Sequence, residues 1–399
     1  MPRGLTIRNR SLIKLRQYLG FSLFSRYKDM IPHNGPSYGA LNFFTKRNKS
    51  TINEKLVNDA INLGNIESLK WLVYECEKTY RITPDKETLN LAAKAGQLNL
   101  IKWLVIDLQI IPDHNTLNMA AKAGSLECFL WLIAGFDNPF PVSIQHLTLN
   151  YSAESGNLAI LSMLMYGSQF NSPHAPNQNT LVYAAKSENL ALLDWLISPG
   201  RLDKQLQPNL MTLNHFAKLG KLSCVKWLMY QCTKSFRQRP DSKTFENALE
   251  SGSLELVKWF IEDCDPVDRF VPYHDSLKFA MKSGSVDLVS FLMKNFDLVP
   301  YGQALDHAAS SGSLELVNWI MYECPDEYRQ VPTHSTLNYA AYSGNQALVN
   351  WLMHNCEEAH RQTPTDLTIS IAQLSGNTEL LCDLQDFISA EKFKVKTIA

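Results

Sequence analysis

Cys324 is followed five residues later by Arg329, and the same interval separates Cys76 from Arg81, Cys232 from Arg237, Cys264 from Arg269 and Cys356 from Arg361. A cation beside a thiol favours the thiolate, which is both the nucleophile and the metal ligand. A guanidinium fork also fits a phosphate. The five pairs therefore suggest an activated thiol, a metal or phosphate site, or a structural device. Repetition argues against catalysis, because a nucleophile is not made five times at one phase of a chain. The connectors 104–114 and 291–302 lack both residues and are shorter. Cys-x4-Arg thus marks a four-residue loop extension, with the thiol small and buried near a helix end. The arginines Arg81, Arg237, Arg269, Arg329 and Arg361 then either brace the loops, for instance by pairing with acids in adjacent loops, or meet a partner.

Other reaction chemistry is missing from the sequence. There is no HExxH, CxxC, GxSxG, GxxxxGK[ST] or GxGxxG. His114, His274 and His334 recur just before a helical stretch, and His215 and His307 share one slot inside it. Such repetition suits packing or turn roles rather than a metal site. Acid pairs such as Glu357-Glu358 and Asp263/Asp265 fall in loops, with no sign of the shared cleft that paired catalytic carboxylates need. The expectation is a chain that is not an enzyme and takes no cofactor and no metal.

The elements that carry these residues are repeats. "TLNLAAKAGQLNLIKWLV" (88–105), "TLNMAAKAGSLECFLWLI" (116–133), "TLNHFAKLGKLSCVKWLM" (212–229) and "TLNYAAYSGNQALVNWLM" (336–353) are copies of one pattern. Aligned on Gly64, Gly96, Gly124, Gly156, Glu188, Gly220, Gly252, Gly284, Gly312, Gly344 and Gly376, eleven units follow at a spacing of 32, or 28 after Gly96 and Gly284. All eight tryptophans lie seven residues after that position, which makes them repeated core residues rather than ligand platforms. Asp383 in the last copy is the polar substitution expected of an end cap.

Each unit predicts two helices. Pro84-Asp85 and Pro112-Asp113 place an aspartate to cap the first, and Leu89, Ala92 and Ala93 form an apolar face thin enough for close helix approach. Glycine ends it. Gln97, Ser125, Asn157, Ser253, Ser313 or Asn345 then caps the second helix, which carries the Leu-x-Leu-Val/Ile-x-Trp-Leu stripe. Neither helix can bury its apolar face alone, so the units must stack.

Over residues 52–387 these units resemble the ankyrin repeats, whose pattern is T-P-L-H-x-A-A-x-x-G-H-L-x-x-V-x-x-L-L. Here Thr stands for Pro, Asn for His and Trp for Leu, and the hairpin motif G-A-D-V-N of the family's β-fingers is absent. Trp-rich units of this kind are similar to those in large DNA viruses and in proteins that intracellular bacteria deliver into host cells. The resemblance implies an all-α, ankyrin-like helical-hairpin solenoid of about eleven repeats at 51–390, with a basic segment at 1–50 and a tail at 391–399. It implies a non-catalytic scaffold, a monomer, that binds a protein through its concave face. The residue two before each glycine would point there: Lys94, Lys122, Lys186, Lys218, Lys282 and Tyr342 are the candidate contacts. A row of lysines suits an acidic partner, and each lysine also complements its helix dipole.

Charge divides the chain. Residues 1–50 hold ten Lys/Arg against Asp29 alone, which leaves 28 basic and 38 acidic residues, about −10, for the rest. An acidic array does not suit nucleic acid. "LTIRNRSLIKLRQYLGFSLFSRYK" fits a cap on the first repeat, a docking segment, a mitochondrial targeting peptide or a membrane-surface helix. No run reaches the ~18 apolar residues of a membrane span, and no secretory signal is evident. The expected location is therefore the cytoplasm, including a host cytosol, with reduced cysteines. The alternative function is a host-directed effector whose repeats select a target while the basic segment acts on it or anchors it to membrane.

Overall fold

The computed structural model describes residues 57–75, 81–134, 144–167, 175–198 and 206–398, with side chains to 389. The basic segment 1–50 and Cys76 lie outside these residues. The described residues contain helices and turns and no strand. They form two compact units that divide between Leu206 and Gln207.

In the first unit the helices Lys86–Lys94, His114–Ala123, His146–Glu154 and Gln178–Lys186 pack in chain order. In the second, Leu210–Lys218, Ser242–Glu250, Ser276–Ser283, Ala304–Ser310, His334–Ser343 and Asp366–Ser375 do the same. Each is followed by a second helix that folds back against it, so each unit is a stack of helical hairpins, the expected all-α repeat architecture. The last helix, Thr378–Ile398, runs past residue 390 without a break, where a tail was expected.

Thin apolar faces make the stacking possible. Leu89, Ala92, Ala93, Leu117, Ala120 and Ala121 are fully buried, each leucine contributing about 1.5–3 kcal/mol by leaving water. Asp85 accepts from the Thr88 backbone N–H at 3.0 Å while Thr88 Oγ1 accepts from the Asp85 backbone N–H at 3.2 Å. This reciprocal cap satisfies two free donors of the first turn, and Asp113, Asn177, Asn209 and Asp241 repeat it with their own threonines.

The same threonine joins one repeat to the one before. Its hydroxyl donates to a side-chain oxygen of the preceding first helix: Thr116 to Asn90 (2.8 Å), Thr148 to Asn118 (2.6 Å), Thr180 to Asn150 (2.8 Å) and Thr368 to Asn338 (2.7 Å). Thr244 does so to Asn214, and Thr336 to Asp306 at 2.6 Å. Thr and Asn, two of the three residue departures from the ankyrin pattern, are thus the two halves of one inter-repeat bond.

Two expectations need correction. Gln97 does not cap its helix with its side chain, and its amide reaches back to the carbonyl of Asn62 at 3.5 Å. Its extra methylene carries the amide past the first-turn N–H groups that Asn157, Asn345 and Ser313 cap. The tryptophans are not uniformly core. Trp103, Trp227 and Trp259 are buried, whereas Trp71, Trp131, Trp195, Trp319 and Trp351 are half-buried. Buried and half-buried tryptophans alike meet a tyrosine of the preceding repeat, as in Tyr74–Trp103, Tyr166–Trp195, Tyr230–Trp259 and Tyr322–Trp351, all edge-to-face.

Candidate functional site

The Cys-x4-Arg pairs lie at the end of the second helix. From the tryptophan onward, the helix widens to an i→i+5 turn over Trp227–Gln231, Trp259–Asp263, Trp319–Glu323 and Trp351–Asn355. The cysteine N–H that follows donates to the tryptophan carbonyl, at 2.8 Å for Cys324 to Trp319 and 2.9 Å for Cys264 to Trp259. The cysteine backbone then turns extended, leaving its own carbonyl without a helical donor. Arginine Nε supplies one: Arg237 to Cys232 at 3.2 Å, Arg269 to Cys264 at 3.0 Å, Arg329 to Cys324 at 3.1 Å and Arg361 to Cys356 at 3.3 Å. The guanidinium thus caps the helix end through the backbone and makes no hydrogen bond with sulfur.

The thiols are correspondingly inert. Each donates to the carbonyl four residues back, as Cys324 does to Ile320 at 3.2 Å. Burial pushes the pKa of Cys324 and Cys356 up, and that of Cys264 up to about 11. The nearby arginines pull the other way, but burial wins. Arg329 pairs with Asp326 of its own loop at 2.8 Å rather than with an acid of an adjacent loop, and Arg239 makes a cross-loop pair, its Nε lying 3.1 Å from Asp268 of the next loop. Arg81 is exposed.

The lysine positions lie at the ends of the first helices. In the first unit Lys94 and Lys186 are exposed and Lys122 is half-buried. Lys122 and Lys186 both approach Glu154 Oε1, at 3.4 and 3.8 Å. Glu154 Oε2 is buried and has no hydrogen-bond partner. The two lysines also lie over aromatic rings that face each other edge-on: Lys122 is 4.9 Å from the ring of Tyr151, and Lys186 4.3 Å from that of Tyr183. Ring faces attract cations, so this end of the first unit is an ordered cluster of cations and aromatics with one carboxylate at its centre. In the second unit Lys218 stands 4.0 Å from Glu250, Lys282 lies 5.8 Å from the Phe279 ring, and Tyr342 is 56% exposed.

Tyr151 and Tyr183 were not among the sequence candidates. They sit three residues before Glu154 and Lys186, on the same helix face, and that i, i+3 spacing was the available signal. Another unforeseen network joins loops of the second unit. The Tyr230 hydroxyl donates to Asp268 Oδ2 at 3.2 Å and accepts from the Asp265 backbone N–H at 3.4 Å, and burial pushes its pKa up to about 12. This tyrosine is a loop tie and not an acid or base at neutral pH.

Among the described residues no group of His, Cys, Asp and Glu could hold a metal ion, and no helix is long and apolar enough to cross a membrane. Stacked hairpins joined by a Thr–Asn bond and closed by Arg-capped loops define a helical repeat protein. Residues 245–331 of the chain match the family model of ankyrin repeats, in three copies. No curated protein matches the sequence. Similar solved structures include the pentatricopeptide repeat protein PPR10 from maize, at 15% identity over 90% of this chain and 61% of that one, with a TM-score of 0.30. PPR10 in complex with an 18-nt psaJ RNA element is similar at 12% identity over 95% of this chain and 68% of that one, with a TM-score of 0.22. The chain thus spans less than two thirds of the first structure.

Proposed function

We propose that the chain is a non-catalytic scaffold that holds an acidic segment of a protein partner at the C-terminal ends of its first helices. The observation that carries this reading is the cluster of Lys122, Lys186, Tyr151, Tyr183 and Glu154, with exposed Lys94 in the same register. Three lysines against one carboxylate leave a local positive excess on an otherwise acidic array, and ordered aromatics add contact area at low entropic cost. Lys218, Lys282 and Tyr342 are the corresponding contacts in the second unit. A protein partner is favoured over nucleic acid because residues 51–399 carry 28 basic against 38 acidic groups, and such a balance repels phosphate backbones.

The test replaces Lys94, Lys122, Lys186 and Lys218 together by serine and compares affinity for a partner captured with the wild-type chain. A tenfold or greater loss of affinity is expected. The melting temperature should fall by only a few degrees, because exposed ion pairs are worth about 0–1 kcal/mol each. Unchanged affinity removes the lysine row.

A further inference from the structure

The Thr–Asn joint between repeats is replaced at two successive steps of the second unit: Glu246 and Ser276 hold the two positions at the first, and at the second the structure also opens a cavity. Lys278 occupies the asparagine position of its helix, and Ala304 the threonine position of the next. No hydroxyl or amide bridges them. Instead a cavity of about 270 Å³ lies between helix Ser276–Ser283 and the segment Pro300–His307, with both residues in its lining. This volume is far more than the ~30 Å³ that one water fills in the liquid. The connector here is one of the two short ones, so the four-residue extension that could cover the opening is missing.

The cavity is chemically asymmetric. Leu277, Met281 and Ala304 are buried and give it an apolar floor. Tyr301 forms one edge, held by its hydroxyl to Asp275 Oδ1 at 2.9 Å and by a ring contact of 3.9 Å with His274. Lys278 and His307 line it, both half-buried. Lys282 is close enough to act electrostatically on His307. Neither Lys278 nor Lys282 makes an ion pair among the described residues. Burial, then Lys282 and Lys278, push the pKa of His307 below its usual value, with Asp306 opposing. The imidazole is thus neutral at neutral pH and can offer an N–H. Asp306 itself is buried and accepts from Thr336.

We propose that this cavity seats a glutamate side chain from an acidic peptide segment of the partner. Its methylenes rest on Leu277 and Met281, and its carboxylate meets Lys278 and the His307 N–H, with Lys282 at the rim. The apolar floor beneath a cationic wall suits a carboxylate on an aliphatic stem. This proposal rests on the acidic-partner reading and assigns it a specificity pocket.

The experiment uses the full chain and a fluorescein-labelled dodecapeptide of alternating Glu and Ala, with Gln and phosphoserine counterparts, read by anisotropy. The key variant is Lys278→Asn with Ala304→Thr, which removes the cation from the wall and rebuilds across the cavity the joint seen at Asn90/Thr116. The Glu peptide is expected to bind the wild type. Both the Gln peptide and the double variant should lose tenfold or more, and the variant's melting temperature should be unchanged or higher. Equal binding by wild type and variant overturns the pocket and leaves the acidic-partner reading standing. A phosphoserine peptide that binds more tightly than the Glu peptide, and is lost in the variant, overturns the choice of glutamate. No binding of the Glu peptide at millimolar concentration overturns both.

Discussion

A thiol next to a guanidinium is activated only if the cation outweighs the loss of water around the thiolate, and at these positions it does not. Cys264 has Arg269 within electrostatic reach, yet its pKa is pushed up to about 11 because the sulfur is buried under the repeat stack. Native protein treated with Ellman's reagent at pH 8 is expected to react fast at exposed Cys382. Buried Cys128, Cys224, Cys232, Cys264, Cys324 and Cys356 should react only on unfolding. The sign of the pH dependence follows. A folded pKa above the unfolded value of 9.0 stabilises the fold fully below pH 9, and that contribution is lost as pH rises toward about 11. The urea midpoint should therefore fall over pH 9–11, and Cys264→Ala should flatten the slope. The arginine does its work on the backbone instead. Replacing Arg329 by Gln should cost about 1 kcal/mol, the scale of one partly exposed hydrogen bond, measured as a shift in the same midpoint. The interval of five residues was legible in the sequence, but its meaning was not. A side-chain bond to the carbonyl of its own helix end exists only once the i→i+5 turn has formed.

Helices and turns were more legible, because their signals are local. Asp85 and Asp113 cap as their Pro-Asp context implies, and each described repeat glycine takes the left-handed conformation. Gly284 needs that conformation twice over. Its φ is +79°, and an added Cβ would lie 2.9 Å from Ser313 Cβ of the next repeat, so Gly284→Ala should destabilise by roughly 1–3 kcal/mol. Gln109 presents the opposite case. In its short connector this residue holds φ +54° without being glycine, and the sequence gives no hint of it, since a turn forced by a missing extension leaves no residue signature. Gln109→Gly should stabilise by about 0.5–1 kcal/mol by relieving the steric cost of a Cβ in that region. Thermal melting of the two variants should show shifts of opposite sign.

At the scale of the whole chain, the repeat register and the hairpin pairing were readable from periodicity, whereas the cross-repeat bond was not. The substitution of Thr and Asn for the Pro and His of the ankyrin pattern was visible, but the thirty-residue separation between Thr180 and Asn150 becomes a 2.8 Å contact only after stacking. Repeats touch only their neighbours, so stability should be a sum of local joints. The structure sharpens this by dividing into two compact units, each with its own row of Thr–Asn bonds. Thr180→Val keeps the side chain's shape and removes its hydroxyl, which leaves the buried oxygen of Asn150 without its donor and an N-terminal cap half made. A loss of about 1–3 kcal/mol is expected from the unpaired group. Thr368→Val should do the same at Asn338. Hydrogen exchange read by mass spectrometry checks where the loss falls. Thr180→Val should raise exchange across residues 144–198 and leave 242–375 unchanged, and Thr368→Val should raise it around 334–389 alone. If either substitution accelerates exchange equally in both units, the chain unfolds as one cooperative block and stability is not carried by nearest-neighbour joints.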